Sequence, residues 1–379
     1  MTGREKIEAA FSPAGARKAP AVICYERLCV RDHWDQLTDC PWWYQFSGDL
    51  EHQLAWRRDT IVRMPQDWLR LWAGPSRGQQ DRTVIEERHE GVFRVDRRTG
   101  EEKRLTRPLV GGWNADGGSH HIAPPRLPES IEEVDASIPA AGRFDAERFV
   151  AEGQGDWARA LVDEFGGEKF PLAHVLSPLW RCYTVWGFEG MMVTVADRPD
   201  LVRRACERNL ATAIYNVHEA AAMGAEGIWI EECLTDMVSP AAFEDLNVPP
   251  LRRLIEEIHS LGMKSIYYYC GAPAAKWKHI LSLGMDALSL EESKKGFRID
   301  IEDIVERVGR QCTVLGNLNA VDVLQNASEE QLRVEIARQI AAGRRNGGRF
   351  IMSLGSPVTP ATPVGRIALY CDLVRELGG

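Results

Sequence analysis

Five short stretches of this 379-residue sequence end in residues able to do chemistry. "GIWIEEC" closes on Glu231, Glu232 and Cys233, "KSIYYYCG" on Tyr268, Tyr269 and Cys270, and "ALSLEES" on Glu291 and Glu292. "VLGNLN" supplies Asn317 and Asn319, and "IMSLGSP" supplies Ser353 and Ser356. Paired carboxylates suit proton transfer or dication binding, and a thiol is a soft ligand. A carboxylate left unpaired near an apolar interior costs free energy, so Glu231 and Glu232 argue for use rather than for packing. Glu231 and Tyr268 are the candidates for proton handling. The plainer readings are a structural thiol for Cys270, packing for the tyrosines and a solvent-facing Glu292.

The elements that position these residues repeat. From about residue 145 onward, apolar runs such as "GIWIEE", "KSIYYYC", "MDALSL", "CTVLGN" and "GRFIMSLG" are each followed by a turn and a helix-patterned segment. Repeated βα units imply a parallel sheet, and with "APAVICYE" and "FPLAHVLS" upstream there are seven or eight strands, enough to close a (β/α)8 barrel. All five chemical stretches then fall at carboxyl ends of strands, where a barrel gathers its active site. A doubly wound sheet is disfavoured, because no G-x-G-x-x-G follows the first strand.

The first 144 residues read as an elaboration on one barrel domain spanning 1–379. Seven of the twelve tryptophans precede residue 114, in aperiodic segments such as "CPWWYQF" and "DWLRLWAGP", which predicts loops and short helices packed as a lid. Trp42, Trp43 and Trp113 are candidates for stacking on an aromatic substrate. The alternation in "TVIEERHEGVFRVDRRTGEEKRL" predicts a small antiparallel β-meander. "GGWNADGGSHHIAPP" is loop-like, and His120 and His121 within it read as solvated.

Composition narrows the function classes. A net charge of -9 excludes a general affinity for nucleic acid, which needs a basic face. No membrane span or signal peptide is legible, so a cytoplasmic location is expected. Nine cysteines stand singly, with no C-x-x-C pair of the kind that marks a structural zinc site.

The segment "GAEGIWIEECLTDMVSPAAFEDLNVPPLRRLIEEIHSLGMKSIYYYCG", with "GMDALSLEES", "VLGNLNAVDVL" and "RFIMSLGSPVTPATPVGRIALY", resembles the uroporphyrinogen decarboxylase superfamily. The opening "MTGREKIEAAF" resembles the first helix of its methyltransferase members. The resemblance implies a (β/α)8 barrel that either decarboxylates a porphyrinogen or moves a methyl group between a small molecule and a corrinoid. The decarboxylases carry an "RQAGR"-type segment where this chain has "VICYERLCVRDHW", and a histidine in the motif that reads "SLGSPV" here. The thiol-methylating branch binds zinc through His-x-Cys-Gly and a later cysteine. This chain has Tyr268-Tyr269-Cys270-Gly271, and Ser356 near the later position.

The methyltransferase branch is therefore the expectation. Zinc would be held by Glu232, Cys270 and Glu291 and would polarise the ether oxygen of a small methyl donor, best an aromatic methyl ether. A separate corrinoid (cobalamin) protein would accept the methyl group, and a homodimer is compatible with the reading. A porphyrinogen decarboxylase and a non-catalytic binding barrel stay open as alternatives.

Overall fold

The structure is a computed structural model and describes residues 1–111, 126–293 and 296–379. Trp113, His120 and His121 lie outside the described residues. Among the described residues, ten strands form two sheets. The large one is parallel throughout, in the order β1 (Trp68–Arg70), β5 (Phe170–Leu176), β6 (Gly227–Glu232), β7 (Lys264–Tyr269), β8 (Ala287–Leu290), β9 (Thr313–Leu315) and β10 (Phe350–Ile351). The small one is the antiparallel meander β2 (Thr83–Arg88), β3 (Gly91–Asp96) and β4 (Glu102–Leu105). Its first turn leads into Gly91 at φ 142° and its second passes through Gly100 at φ 71°, a backbone region that favours glycine.

The parallel sheet curls into a TIM-barrel-like fold, and the start of the chain joins its two ends. The Val22 amide donates to Met352 O at 2.9 Å and the Met352 amide to Pro20 O at 2.9 Å, so residues 20–23 run beside β10. On the other side the Asp67 amide donates to Ala21 O at 2.8 Å, at the entry to β1. The strand candidate "APAVICYE" thus pairs with "GRFIMSLG". β1 itself was expected as loop or helix: "DWLRLWAGP" supplies a strand of three residues, too short to show a period.

Helices cover the outside because one face of each is apolar. In Val248–Ser260 the buried positions are Val248, Leu251, Leu254, Ile255 and Ile258, a spacing of three and four that keeps one stripe on the sheet. Glu329–Arg345 begins at a capping box, in which Ser328 accepts from the Gln331 amide and Gln331 bonds back to the Ser328 amide. One hydrophobic core holds both ends of the chain, from Ile7 and Phe11 to Tyr370 and Val374. Among the described residues, no helix is long and apolar enough to cross a membrane.

Candidate active site

Alternation along β6 decides which of its residues reach the barrel interior. Trp229 faces inward, stacked on His174 of β5 at 5.6 Å and on Tyr268 of β7 at 5.0 Å between ring centroids. Glu231, two residues on, therefore also points to the mouth, while Ile228, Ile230 and Glu232 point outward to the helices. The same rule on β7 puts Tyr268 inside, with Tyr267 and Tyr269 outside.

Glu231 is the carboxylate of the mouth. Its Oε1 accepts from the Tyr25 hydroxyl at 3.2 Å and from the Cys233 thiol at 3.8 Å. Burial pushes its pKa up; the Tyr25 hydrogen bond, Arg70 and the Cys233 thiol oppose that rise. Tyr25 reaches the site from a left-handed backbone conformation, φ 55° and ψ 39°, immediately before the helix Glu26–Asp32. Its ring meets Tyr268 edge-on at 5.6 Å. The Tyr268 hydroxyl donates to Gly355 O at 2.9 Å, and this bond anchors the "SLGSP" loop against the end of β7.

Two thiols sit beside this carboxylate. The Cys270 amide donates to Glu232 O at 2.9 Å and extends the β6–β7 ladder by one step, which sets Cys233 and Cys270 side by side on the inward face. The Cys233 thiol is held well above its ordinary pKa, first by the neighbouring Cys270 thiol and then by burial. Gly271 follows at φ 110°, where any Cβ would lie 2.3 Å from Asp236 Cγ, so the sharp turn after Cys270 needs glycine.

Glu232 does not join them. It is fully buried on the outer face of β6, where its Oε2 accepts from Asn247 Nδ2 at 2.8 Å and from the Tyr267 hydroxyl at 3.3 Å. Burial raises its pKa to about 7 despite these hydrogen bonds. Glu291 is on the mouth side, since β8 pairs Ser289 with the inward Tyr268 and Glu291 lies two residues further on. Of the expected zinc ligands, Cys270 and Glu291 therefore face the interior and Glu232 faces the helices. Among the described residues, no group of three His, Cys, Asp or Glu side chains is arranged to hold a metal ion. The set Glu232, Cys270 and Glu291 does not fit zinc, whose sites take at least three protein ligands around one point. Glu292, expected at the surface, is 4% exposed and packs under Gly355.

Several residues of the mouth were missed from sequence. Arg70 and His174 lie on the inward positions of β1 and β5. Burial lowers the Arg70 pKa to about 10, and burial with the nearby Arg70 and Arg27 charges keeps His174 neutral. Arg27 also lines a cavity of ≈ 420 Å³, walled by Arg31, Trp34, Phe46, Trp56 and Trp72. The tryptophans at this cavity are thus not Trp42 and Trp43, which belong to the 3-10 helix Trp42–Phe46. The alternation of "FPLAHVLS" was a usable signal for His174. For Tyr25 and Arg70 there was none, since their roles depend on elements distant in sequence.

A parallel α/β barrel with carboxylate, thiols and aromatic rings gathered at the carboxyl ends of its strands defines the class of protein. The chain belongs to the uroporphyrinogen decarboxylase (URO-D) family, whose model matches residues 116–377. It is 27% identical over 191 residues to a uroporphyrinogen decarboxylase of Anaeromyxobacter sp. (strain Fw109-5), covering 50% of this chain and 52% of that protein. It is 26% identical over 239 residues to one of Solibacter usitatus (strain Ellin6076), covering 57% and 66%. The chain thus spans about half to two thirds of the length of these relatives. Over the full length of both chains it superposes on a methyltransferase from Methanosarcina mazei with a TM-score of 0.68 at 14% identity, a likeness of fold.

Proposed function

We propose that this chain is a methyltransferase that demethylates a small methyl donor, best an aromatic methyl ether, and passes the methyl group to a separate corrinoid protein. The observation that carries the reading is Glu231, a partly buried carboxyl group of raised pKa at the mouth, bonded by Tyr25, whose chain neighbours Glu26 and Arg27 line an aromatic-walled cavity. The full-length likeness to the Methanosarcina methyltransferase supports it. A porphyrinogen fits less well. Among the described residues, its eight carboxylates would meet only Arg27 and Arg70 as cations here, because Arg31 is bound to Asp32 at 2.8 Å and Arg57 lies over the Trp72 ring at 3.9 Å.

The chemistry supplied from outside is a reduced corrinoid able to accept a methyl group. This chain's part is to place the ether and to handle the charge on the departing oxygen. Trp34, Phe46, Trp56 and Trp72 enclose the ring, and Glu231 in its acid form donates a proton to the oxygen as the C–O bond breaks. Tyr25 and Cys233 hold that carboxyl group in one orientation. Zinc assistance is not carried over from the resemblance, because Glu232 faces the helices.

The test is a screen of methoxylated aromatics and methylamines with reduced cobalamin, followed by the absorbance of methylcobalamin. Methyl transfer from an aromatic ether, lost in Glu231→Gln, is the expected result. Decarboxylation of a porphyrinogen without methyl transfer would replace this reading with that of a lyase.

A further inference from the structure

We infer that Cys233 and Cys270 are a redox-sensitive dithiol that closes to a disulfide across the barrel mouth. The inference does not depend on the identity of the methyl donor. β6 and β7 are paired in parallel from Gly227↔Lys264 to Glu232↔Tyr269, and the Cys270 N–H to Glu232 O bond carries the register one residue further. Cys233 and Cys270 are therefore direct neighbours, with side chains on the same face. Adjacent strands lie about 4.8 Å apart, inside the roughly 4.4–6.8 Å between Cα atoms that a disulfide spans without backbone movement.

Access separates this pair from the other thiols. Cys270 is partly exposed at the mouth, and Cys233 is 7% exposed beside it. The other neighbouring pair, Cys182 and Cys206, is 0% and 2% exposed within the helix layer. The remaining cysteines are buried apart from Cys40.

The reaction balances with an added disulfide such as oxidised glutathione. The Cys270 thiol gives up its proton and attacks one sulfur of the oxidant, expelling one glutathione thiolate and forming a mixed disulfide. Cys233 gives up its proton and attacks the Cys270 sulfur, expelling the second glutathione. Two protein thiols are oxidised by two electrons and one glutathione disulfide is reduced to two thiols. The product removes the Cys233 thiol that donates to Glu231, so the mouth changes with redox state.

The experiment treats the folded full-length chain with oxidised glutathione, then denatures it, counts free thiols and maps the peptides. Nine thiols should fall to seven, with the peptides carrying Cys233 and Cys270 joined and separable by dithiothreitol. Cys233→Ser should stop at a glutathione adduct on Cys270, and Cys270→Ser should keep all eight of its thiols apart from any adduct at Cys40. Thermal melts of both variants check that each is folded. A stable glutathione adduct on Cys270 of the unsubstituted chain, linkage of Cys182 to Cys206 instead, or nine free thiols after treatment would each overturn the inference.

Discussion

Glu231 and Glu232 are neighbours in sequence, yet one residue of strand pleat gives them different work. Glu231 enters the mouth, and its hydrogen bond from Tyr25 holds down a pKa that burial raises. Tyr25→Phe removes that restraint, so the Glu231 pKa should rise further and the acid form should persist to higher pH. The alkaline limb of the rate profile of the proposed methyl transfer is expected to move up, while Glu231→Gln should abolish that limb and lower the rate by about 10²–10⁴-fold. An unmoved limb in Tyr25→Phe would disconnect the two residues. Glu232 bears on stability instead. Its folded pKa of about 7 stands above the 4.5 of an ordinary glutamate, so its carboxyl group favours folding most below pH 4.5. That advantage is lost as pH rises to 7, by about 3 kcal/mol, and stays lost above. Glu232→Gln keeps an acceptor for Asn247 and should match the unsubstituted protein near pH 4 while becoming relatively more stable at pH 8. Urea midpoints across that range measure it.

At the scale of elements, closure rests on a short segment and one aspartate. Asp67 Oδ2 accepts from the Ala21 amide at 2.7 Å, its carboxylate pairs with Lys6 at 3.3 Å, and its own amide binds Ala21 O at 2.8 Å. Lys6, Ala21 and Asp67 are all buried. Asp67→Ala leaves a buried ammonium and a buried amide without this partner, so it should destabilise the fold by about 3–5 kcal/mol, read from denaturant unfolding. A loss below about 1 kcal/mol would mean that closure does not depend on this contact. The strands β6 to β10 were legible because each is an apolar run ended by a turn. β1 was not, because it makes its ladder with β5, far away in sequence, and its three residues carry no pattern of their own.

The whole molecule is one core wrapped by both ends of the chain. Ile7, Ala10 and Phe11 pack with Val314, Ile351 and Tyr370 in it, so a fragment 145–379 would lack β1, the closing segment and the first helix. That fragment is expected to show no cooperative thermal transition, whereas the full chain unfolds in one. A sharp transition in the fragment would place a domain boundary near residue 145. By itself, the sequence determined the class of fold, the strand ends that bear chemistry and the family, because apolar periodicity and motif residues are local properties. The tertiary structure alone decided which way each side chain faces and what it meets there. Glu232 left the expected zinc set because the pleat turns it outward onto Asn247, and Cys233 entered the site because the β6–β7 register places it against Cys270. Tyr25, Arg70 and His174 joined them because barrel closure brings β1, β5 and the start of the chain to one mouth, an outcome of long-range pairing that no short window of residues encodes.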